Sequence, residues 1–189
     1  MIFAQGNPEP DYTSSRHNVG FSILNTIADE FDAKWTNKSK FNALTSEIAI
    51  NDEKIILVKP TTFYNETGIS VRKLVDFYKL NTASDLLVIH DDLSLPFGTV
   101  RVRTQGGDAG NNGIKSINSH LNNTYTRIKI GISNDLYDQM DDSNFVLSKF
   151  NNNESDQLEK TIIPHVSELV KQFCDETIKL ASFKNIEKK

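Results

Sequence analysis

The sequence predicts an α/β fold, a single-domain α/β/α globule with a twisted mixed sheet flanked by helices, and three observations carry that prediction. Leu86-Leu87-Val88-Ile89 is an unbroken apolar run, which suits a strand buried on both faces at the centre of a sheet. Elsewhere, stretches with apolar residues at every second position alternate with stretches at helical spacing. Phe41 to Ile50 and Lys54 to Lys59 are two strand-like runs joined by Asn51-Asp52-Glu53, a hairpin and therefore an antiparallel pair. The chain has 189 residues, 38% hydrophobic and 24% charged, enough for one core, and it reads as one domain over 1–189.

Ile2 to Gln5 is a short first strand, stopped at Gly6-Asn7-Pro8-Glu9-Pro10 because two prolines disfavour both helix and strand. Ser14 or Ser15 then caps a helix carrying Ile23, Leu24, Ile27, Ala28 and Phe31. After the hairpin, which Pro60 ends, a second helix is expected from about Glu66 to Leu80, with Ile69, Leu74, Phe77 and Tyr78 as its buried stripe. The central strand empties into His90-Asp91-Asp92. Val100 and Val102 then alternate with Arg101 and Arg103, so this strand turns an apolar face inward and a basic face outward. A Gly/Asn loop leads into a short helix with Ile114, Ile117 and Leu121. The next strand sets Ile128, Ile130 and Ile132 against Arg127, Lys129 and Gly131. Residues 134–144 show no period and read as a loop. A C-terminal helical segment spans about 154–184, with Pro164 starting or kinking a part of it.

Several classes are excluded early. No apolar run approaches the ~20 residues that span a bilayer, and the N-terminus lacks the pattern of a secretory signal, so the expected setting is cytoplasmic. A single cysteine, Cys174, rules out an internal disulfide and a cysteine-based zinc site. The net charge of −4 is unevenly spread. Residues 98–129 hold five bases (Arg101, Arg103, Lys115, Arg127 and Lys129) against one acid, Asp108. Such a local excess fits phosphate contacts, and a solvated strand face reads equally well from composition alone.

Chemistry concentrates at strand ends. His17 lies between the proline-rich turn and a helix start, while His90 and Asp91 stand where the central strand ends, the place where open α/β sheets bind ligands. A histidine and an aspartate meeting there form a general base and its orienting carboxylate, or else a capping pair within the fold. His120 and His165 fall inside helical patterns and are read as structural. There is no Gly-x-Ser-x-Gly elbow, and nothing in the spacing of His17, His90, Asp91 and Asp92 requires a metal. Gly107-x-x-Gly110-x-x-Gly113 opens a helix as phosphate cradles do, without the spacing of a dinucleotide or Walker loop. Asn7, Asn65, Asn111 and Asn112 all fall in loops bordering strand ends or helix starts. Asparagine offers two donors and an acceptor without charge, suited to holding peptide amides or a water.

Taken together, Gly6-Asn7-Pro8, Tyr12, Arg16-His17-Asn18-Val19-Gly20, Lys59-Pro60-Thr61-Thr62-Phe63-Tyr64-Asn65, His90-Asp91-Asp92-Leu93, Gly110-Asn111-Asn112-Gly113-Ile114-Lys115 and Phe145-Val146-Leu147-Ser148-Lys149-Phe150 resemble, in order and along the whole chain, bacterial-type peptidyl-tRNA hydrolase. The resemblance implies a monomeric α/β/α hydrolase that cleaves the ester joining a peptide to the 3′ end of tRNA. It implies His17 as general base and Asp91 as its partner. Asn7, Tyr12, Tyr64, Asn65 and Asn112 would bind substrate, and Arg103, Lys115 and Lys129 would meet tRNA phosphates. It implies no cofactor and no metal, since an ester with an alkoxide leaving group needs a base and oxyanion donors. The chain departs from the family pattern at Asn111, usually histidine, at Tyr64, usually methionine, and at Asp92, where glutamate is common. An RNA-binding relative without catalysis is the other reading, and the intact His17, Asp91, Asn7 and Asn65 favour the enzyme.

Overall fold

The structure, a computed structural model, describes residues 1–184. Residues 185–189, the tail of the expected domain, lie outside the described residues. Among the described residues, eight strands form one sheet: β1 (Ile2–Ala4), β2 (Thr36–Lys38), β3 (Ala43–Ile50), β4 (Glu53–Pro60), β5 (Leu87–Pro96), β6 (Val100–Arg103), β7 (Thr126–Ser133) and β8 (Ser182–Phe183). Their order is β2-β3-β4-β1-β5-β7-β6-β8. The four central strands β4, β1, β5 and β7 are parallel, and antiparallel strands complete both sides, so the sheet is mixed as expected.

Among the described residues, seven α-helices accompany the sheet: α1 (Val19–Glu30), α2 (Thr67–Tyr78), α3 (Thr82–Asp85), α4 (Asn112–His120), α5 (Asp142–Leu147), α6 (Asn152–Gln157) and α7 (Ile163–Cys174). One core joins Ile23, Leu24 and Ile27 of α1 and Val166, Leu169 and Val170 of α7 to Ile2, Leu87, Ile89, Ile128 and Ile130 of the sheet. The opposite core joins Val71, Leu74 and Val75 of α2 and Ile114 and Ile117 of α4 to Phe3, Val58 and Val88. Strand alternation sends neighbouring residues of β1 and β5 to these two cores, which is why the central strands read as unbroken apolar runs. No helix among the described residues is long and apolar enough to cross a membrane.

The hairpin forms with a two-residue turn. Asn51 and Asp52 both have positive φ, 51° and 63°, and Glu53 already belongs to β4. Asn and Asp tolerate that conformation, and it matches the twist of the flanking strands.

Several expectations need correction. Neither Ser14 nor Ser15 caps α1. A 3-10 turn over Arg16–Asn18 intervenes, and Ser15, its first flanking residue, makes no side-chain cap bond. The buried stripe of α2 is Gly68, Val71, Leu74 and Val75, while Ile69, Phe77 and Tyr78 are exposed. The helix is turned by its close approach to α4, and the two exposed aromatics pack over the outer side of buried Phe41. Phe77 lies edge-on to both Phe41 and Tyr78, with 5.0 Å between centroids in each pair, and the Lys40 ammonium sits 3.9 Å from the Phe77 ring centroid. The central strand continues through His90-Asp91-Asp92 to Pro96, with a register shift after Asp92. The C-terminal helical stretch is α6, a π turn over Leu158–Ile162 and α7, with Pro164 just after the π turn, whose wider ring of bonds accommodates a residue without an N–H inside a continuous helix. It stops at Cys174, short of the expected 184, and β8 follows as an edge strand. Part of the expected 134–144 loop is a 3-10 turn and the start of α5.

Candidate active site

Gly6-Asn7 leaves β1, Phe63 to Glu66 follows β4, and Asp91 lies on the later half of β5. The carboxyl ends of three parallel strands therefore converge where the chain's crossovers diverge from β1, towards β4 on one side and β5 on the other. A cleft of about 730 Å³ opens there, lined by Asn7, Tyr12, His17, Asn65, Asp91 and Asn112 among others.

His17 sits in the 3-10 turn before α1, and Arg16 beside it holds that turn down. The Arg16 guanidinium is buried and donates to both carboxylate oxygens of Glu154, at 3.0 and 2.6 Å, and to the Ile132 carbonyl at 3.1 Å. It also packs 4.8 Å from the ring centroids of Phe145 and Phe150. A planar cation with five donors can satisfy two carboxylate oxygens and a carbonyl together. Asn18, on the other side of His17, binds the backbone of Asn7 twice. Its Oδ1 accepts from Asn7 N–H at 2.7 Å, and its Nδ2 donates to Asn7 O at 2.9 Å.

The His17 ring is held from two directions. Nδ1 is 2.7 Å from Asp91 Oδ2, and the ring stacks on Tyr64 with centroids 3.5 Å apart and planes 17° from parallel. Its side chain keeps 15% exposure, whereas Asp91 keeps 2%. Burial alone would push the Asp91 carboxyl up, but the charge and hydrogen bond of His17, with the hydrogen bond from Tyr64, hold it below the usual carboxylate value. His90 is fully buried and faces the other core. Burial lowers its pKa to about 4, so it stays neutral, and its Nδ1 donates to the Asp91 carbonyl at 2.6 Å. Of the two histidines near Asp91, His17 is the one facing the cleft.

Asn7 Oδ1 accepts from Tyr64 N–H at 3.1 Å, which leaves its amide nitrogen as the free end of the side chain. Asn65 and Asn112 are exposed on the cleft wall, Asn112 in the first turn of α4. Tyr12 flanks the cleft from the 3-10 turn Pro10–Tyr12. Tyr64, expected among the substrate contacts, lines the cleft but is 5% exposed, stacked on His17 with its hydroxyl engaged by Asp91 and Asn111. Sequence reasoning missed Asp142 and Ser143 of the α5 wall, because residues 134–144 showed no period. It quoted Asn18 and Arg16 within a motif without giving them a task.

The basic stretch divides. Lys115 is exposed on α4, and Arg103 is half-buried, donating to Val102 O at 2.7 Å and Ala181 O at 3.2 Å. Arg127 was expected on an outward basic face and is instead buried, donating to Gly107 O at 2.9 Å. Lys129 is committed to an ion pair with buried Asp92, with 13% of its side chain exposed. Like charges face each other across β6 and β7, Arg101 opposite Lys129 and Arg103 opposite Arg127, and those two internal bonds relieve the repulsion. The Gly107–Gly113 segment is no open cradle throughout. Gly113 belongs to α4, where a Cβ would come within 2.5 Å of the Tyr64 ring. Among the described residues, no group of three or more His, Cys, Asp or Glu is arranged to hold a metal ion.

The profile of the peptidyl-tRNA hydrolase family matches residues 1–189. The chain belongs to the peptidyl-tRNA hydrolase family. The peptidyl-tRNA hydrolase of Ligilactobacillus salivarius is 41% identical over 170 residues, 89% of this chain and 90% of that one. That of Clostridium beijerinckii is 42% identical over 163 residues, covering 86% and 83%. The crystal structure of the Acinetobacter baumannii member superimposes with a TM-score of 0.84 at 29% identity, covering 93% of this chain and 88% of that one. Membership makes the chain a hydrolase of peptidyl-tRNA, and the fold around the cleft is the family's α/β architecture.

Proposed function

We propose that His17 is the general base of this reaction and Asp91 the carboxylate that orients it. The observation that carries the reading is the 2.7 Å contact from His17 Nδ1 to Asp91 Oδ2, which leaves the other ring nitrogen to work in the cleft. Nε2 takes a proton from water as the water oxygen attacks the ester carbonyl carbon. The imidazolium so formed is stabilised by buried Asp91 and then gives its proton to the departing 3′ oxygen of the tRNA. The free acid of the peptide and the tRNA hydroxyl result, and the histidine is regenerated.

Negative charge gathers on the carbonyl oxygen during attack. The amide of Asn7 and the N-terminal turn of α4, with Asn112, supply donors and a positive dipole end on that side of the cleft. Asn65 and Tyr12 hold the peptide and the terminal nucleotide. Neutral amides read backbone rather than side chains, so many peptide sequences are accepted. Lys115 and Arg103 meet tRNA phosphates, contacts that carry no base information. Lys129 supports this set indirectly, through its pair with Asp92. The enzyme works as a monomer in the cytoplasm.

Hydrolysis of a peptidyl-tRNA by wild type and His17→Ala tests the assignment. The variant is expected to turn over about 10²–10⁴-fold more slowly with tRNA binding nearly unchanged. Wild-type turnover by the variant would remove His17 from the mechanism.

A further inference from the structure

Asn111 is the N-cap of α4, and its Oδ1 accepts from Ile114 N–H at 3.0 Å. That cap decides which way the amide points, because an oxygen spent on the helix turns the NH₂ group inward. Nδ2 then lies 2.9 Å from the Tyr64 hydroxyl and 3.2 Å from both Asp91 Oδ1 and the Asp91 carbonyl oxygen. All three are acceptors for an amide that can only donate. The Tyr64 hydroxyl thus receives a hydrogen from Asn111, and its own proton goes to the neighbouring acceptor, Asp91 Oδ1, at 2.6 Å. Tyr64 is buried. Burial, then the charge of Asp91, raises its pKa well above the usual phenol value, so the proton stays on the hydroxyl.

With Oδ1 filled by Tyr64 and Asn111, the one carboxylate oxygen left to His17 is Oδ2. An unprotonated carboxylate at 2.7 Å requires the hydrogen on Nδ1. The same Tyr64 ring lies flat on the imidazole, so its hydroxyl settles the carboxylate while its face settles the ring plane. Two side chains on separate elements therefore hold the carboxylate with Oδ2 facing Nδ1 and the ring in the plane that meets it. Without them the pair can part, and the imidazole is free to place its hydrogen on Nε2.

We infer that Tyr64 and Asn111 are a coupled pair of positioning residues that hold His17 as the Nδ1–H tautomer, with Nε2 bare towards the cleft. The inference rests on His17 being the base, and it adds that the base is kept in its working tautomer by a cap residue acting through a tyrosine. It also gives these two departures from the family pattern a joint function rather than two separate ones.

The test uses Tyr64→Phe, which keeps the ring and removes the hydroxyl, and Asn111→Ser, which keeps a capping oxygen and removes the amide donor. Each is expected to lower kcat about 10- to 100-fold with KM within about twofold, short of the ~10⁴-fold that a wholly wrong tautomer costs. Because the two act through one chain of bonds, the double variant falls no further than the worse single. Nitrogen-15 NMR reads the tautomer without turnover, His17 being assigned by the signal lost in His17→Ala. Wild type shows Nδ1 protonated, and the folded double variant shows a substantial Nε2–H population. An unchanged tautomer in the double variant, multiplicative losses of kcat, or changes confined to KM would overturn the inference. An active His17→Ala would refute the base instead, and the NMR result would still decide whether the pair sets the ring.

Discussion

Gly68→Ala sets helix propensity against packing, and the structure says which prevails. Gly68 is in the first turn of α2, where alanine is favoured by up to about 0.5–1 kcal/mol. A Cβ there would lie 2.2 Å from the Ser116 carbonyl oxygen and 2.5 Å from the His120 ring. The histidine can rotate away, but the carbonyl is backbone of α4. Restoring ordinary contact from 2.2 Å to 3.4 Å means parting the helices by about 1.2 Å. That strain costs about 1–3 kcal/mol and exceeds the propensity gain, for a net loss of about 1–2 kcal/mol. The displacement also reaches the cleft, because α4 carries Asn111 at its start. Bonds of 2.9 and 3.2 Å from that amide do not survive a shift of such size. Urea denaturation and steady-state kinetics together check this. The expected variant is less stable by that amount and also slower. A variant as stable as wild type, or more so, with unchanged kcat would show that α2 and α4 slide without strain, and the packing argument would fail.

The acid side of the stability curve gives another prediction. Burial raises the carboxyl of Asp92, but its bonds from Lys129 and Ser94 outweigh that and bring it below its ordinary value, as happens at Asp91. A carboxyl depressed in the folded state stabilises fully above its unfolded value of about 3.9, and the contribution fades as pH falls through the lower folded value. Asp92→Asn should therefore be less stable than wild type at neutral pH, with Lys129 unpaired, and should lose less stability between about pH 5 and 2. Parallel curves from chemical denaturation would rule this out. For tRNA, replacing Arg103 and Lys115 with alanine should weaken binding to different tRNAs alike and reduce the log–log salt slope by about one unit or less per lost contact. Unchanged affinity at low salt would assign both residues to the protein's own surface.

The central strands and both flanking layers were legible because burial on both faces forces an apolar run, and β5 between its helices leaves no other choice. The pair His17–Asp91 was legible because strand ends and proline turns are marked by residue type. What stayed hidden depends on contacts distant in sequence. Phe77 and Tyr78 fit a helical stripe, yet they lie exposed against buried Phe41, more than 30 residues away in sequence. Lys129 alternates with isoleucines like an outward residue, yet Asp92 on the neighbouring strand claims it. Edge strands of three and two residues, β2 and β8, are too short to leave a period. Tyr64 was expected to touch substrate, and only the cap geometry of Asn111 shows where its hydroxyl points.

The clamp on Arg16 has a consequence for the order in which the chain becomes active. Its partners Ile132, Ser148 and Glu154 lie 116 to 138 residues further along. During synthesis the turn bearing His17 emerges before Ile132, Ser148 and Glu154, the groups that hold it in the folded protein. Contacts this distant form late, after the entropy of closing a long loop has been met. A chain that leaves the ribosome before residue 154 carries the histidine and Asp91 without the anchor that sets the turn. Assembly of the base thus waits until the segment carrying Glu154 has been made and has folded back onto Arg16.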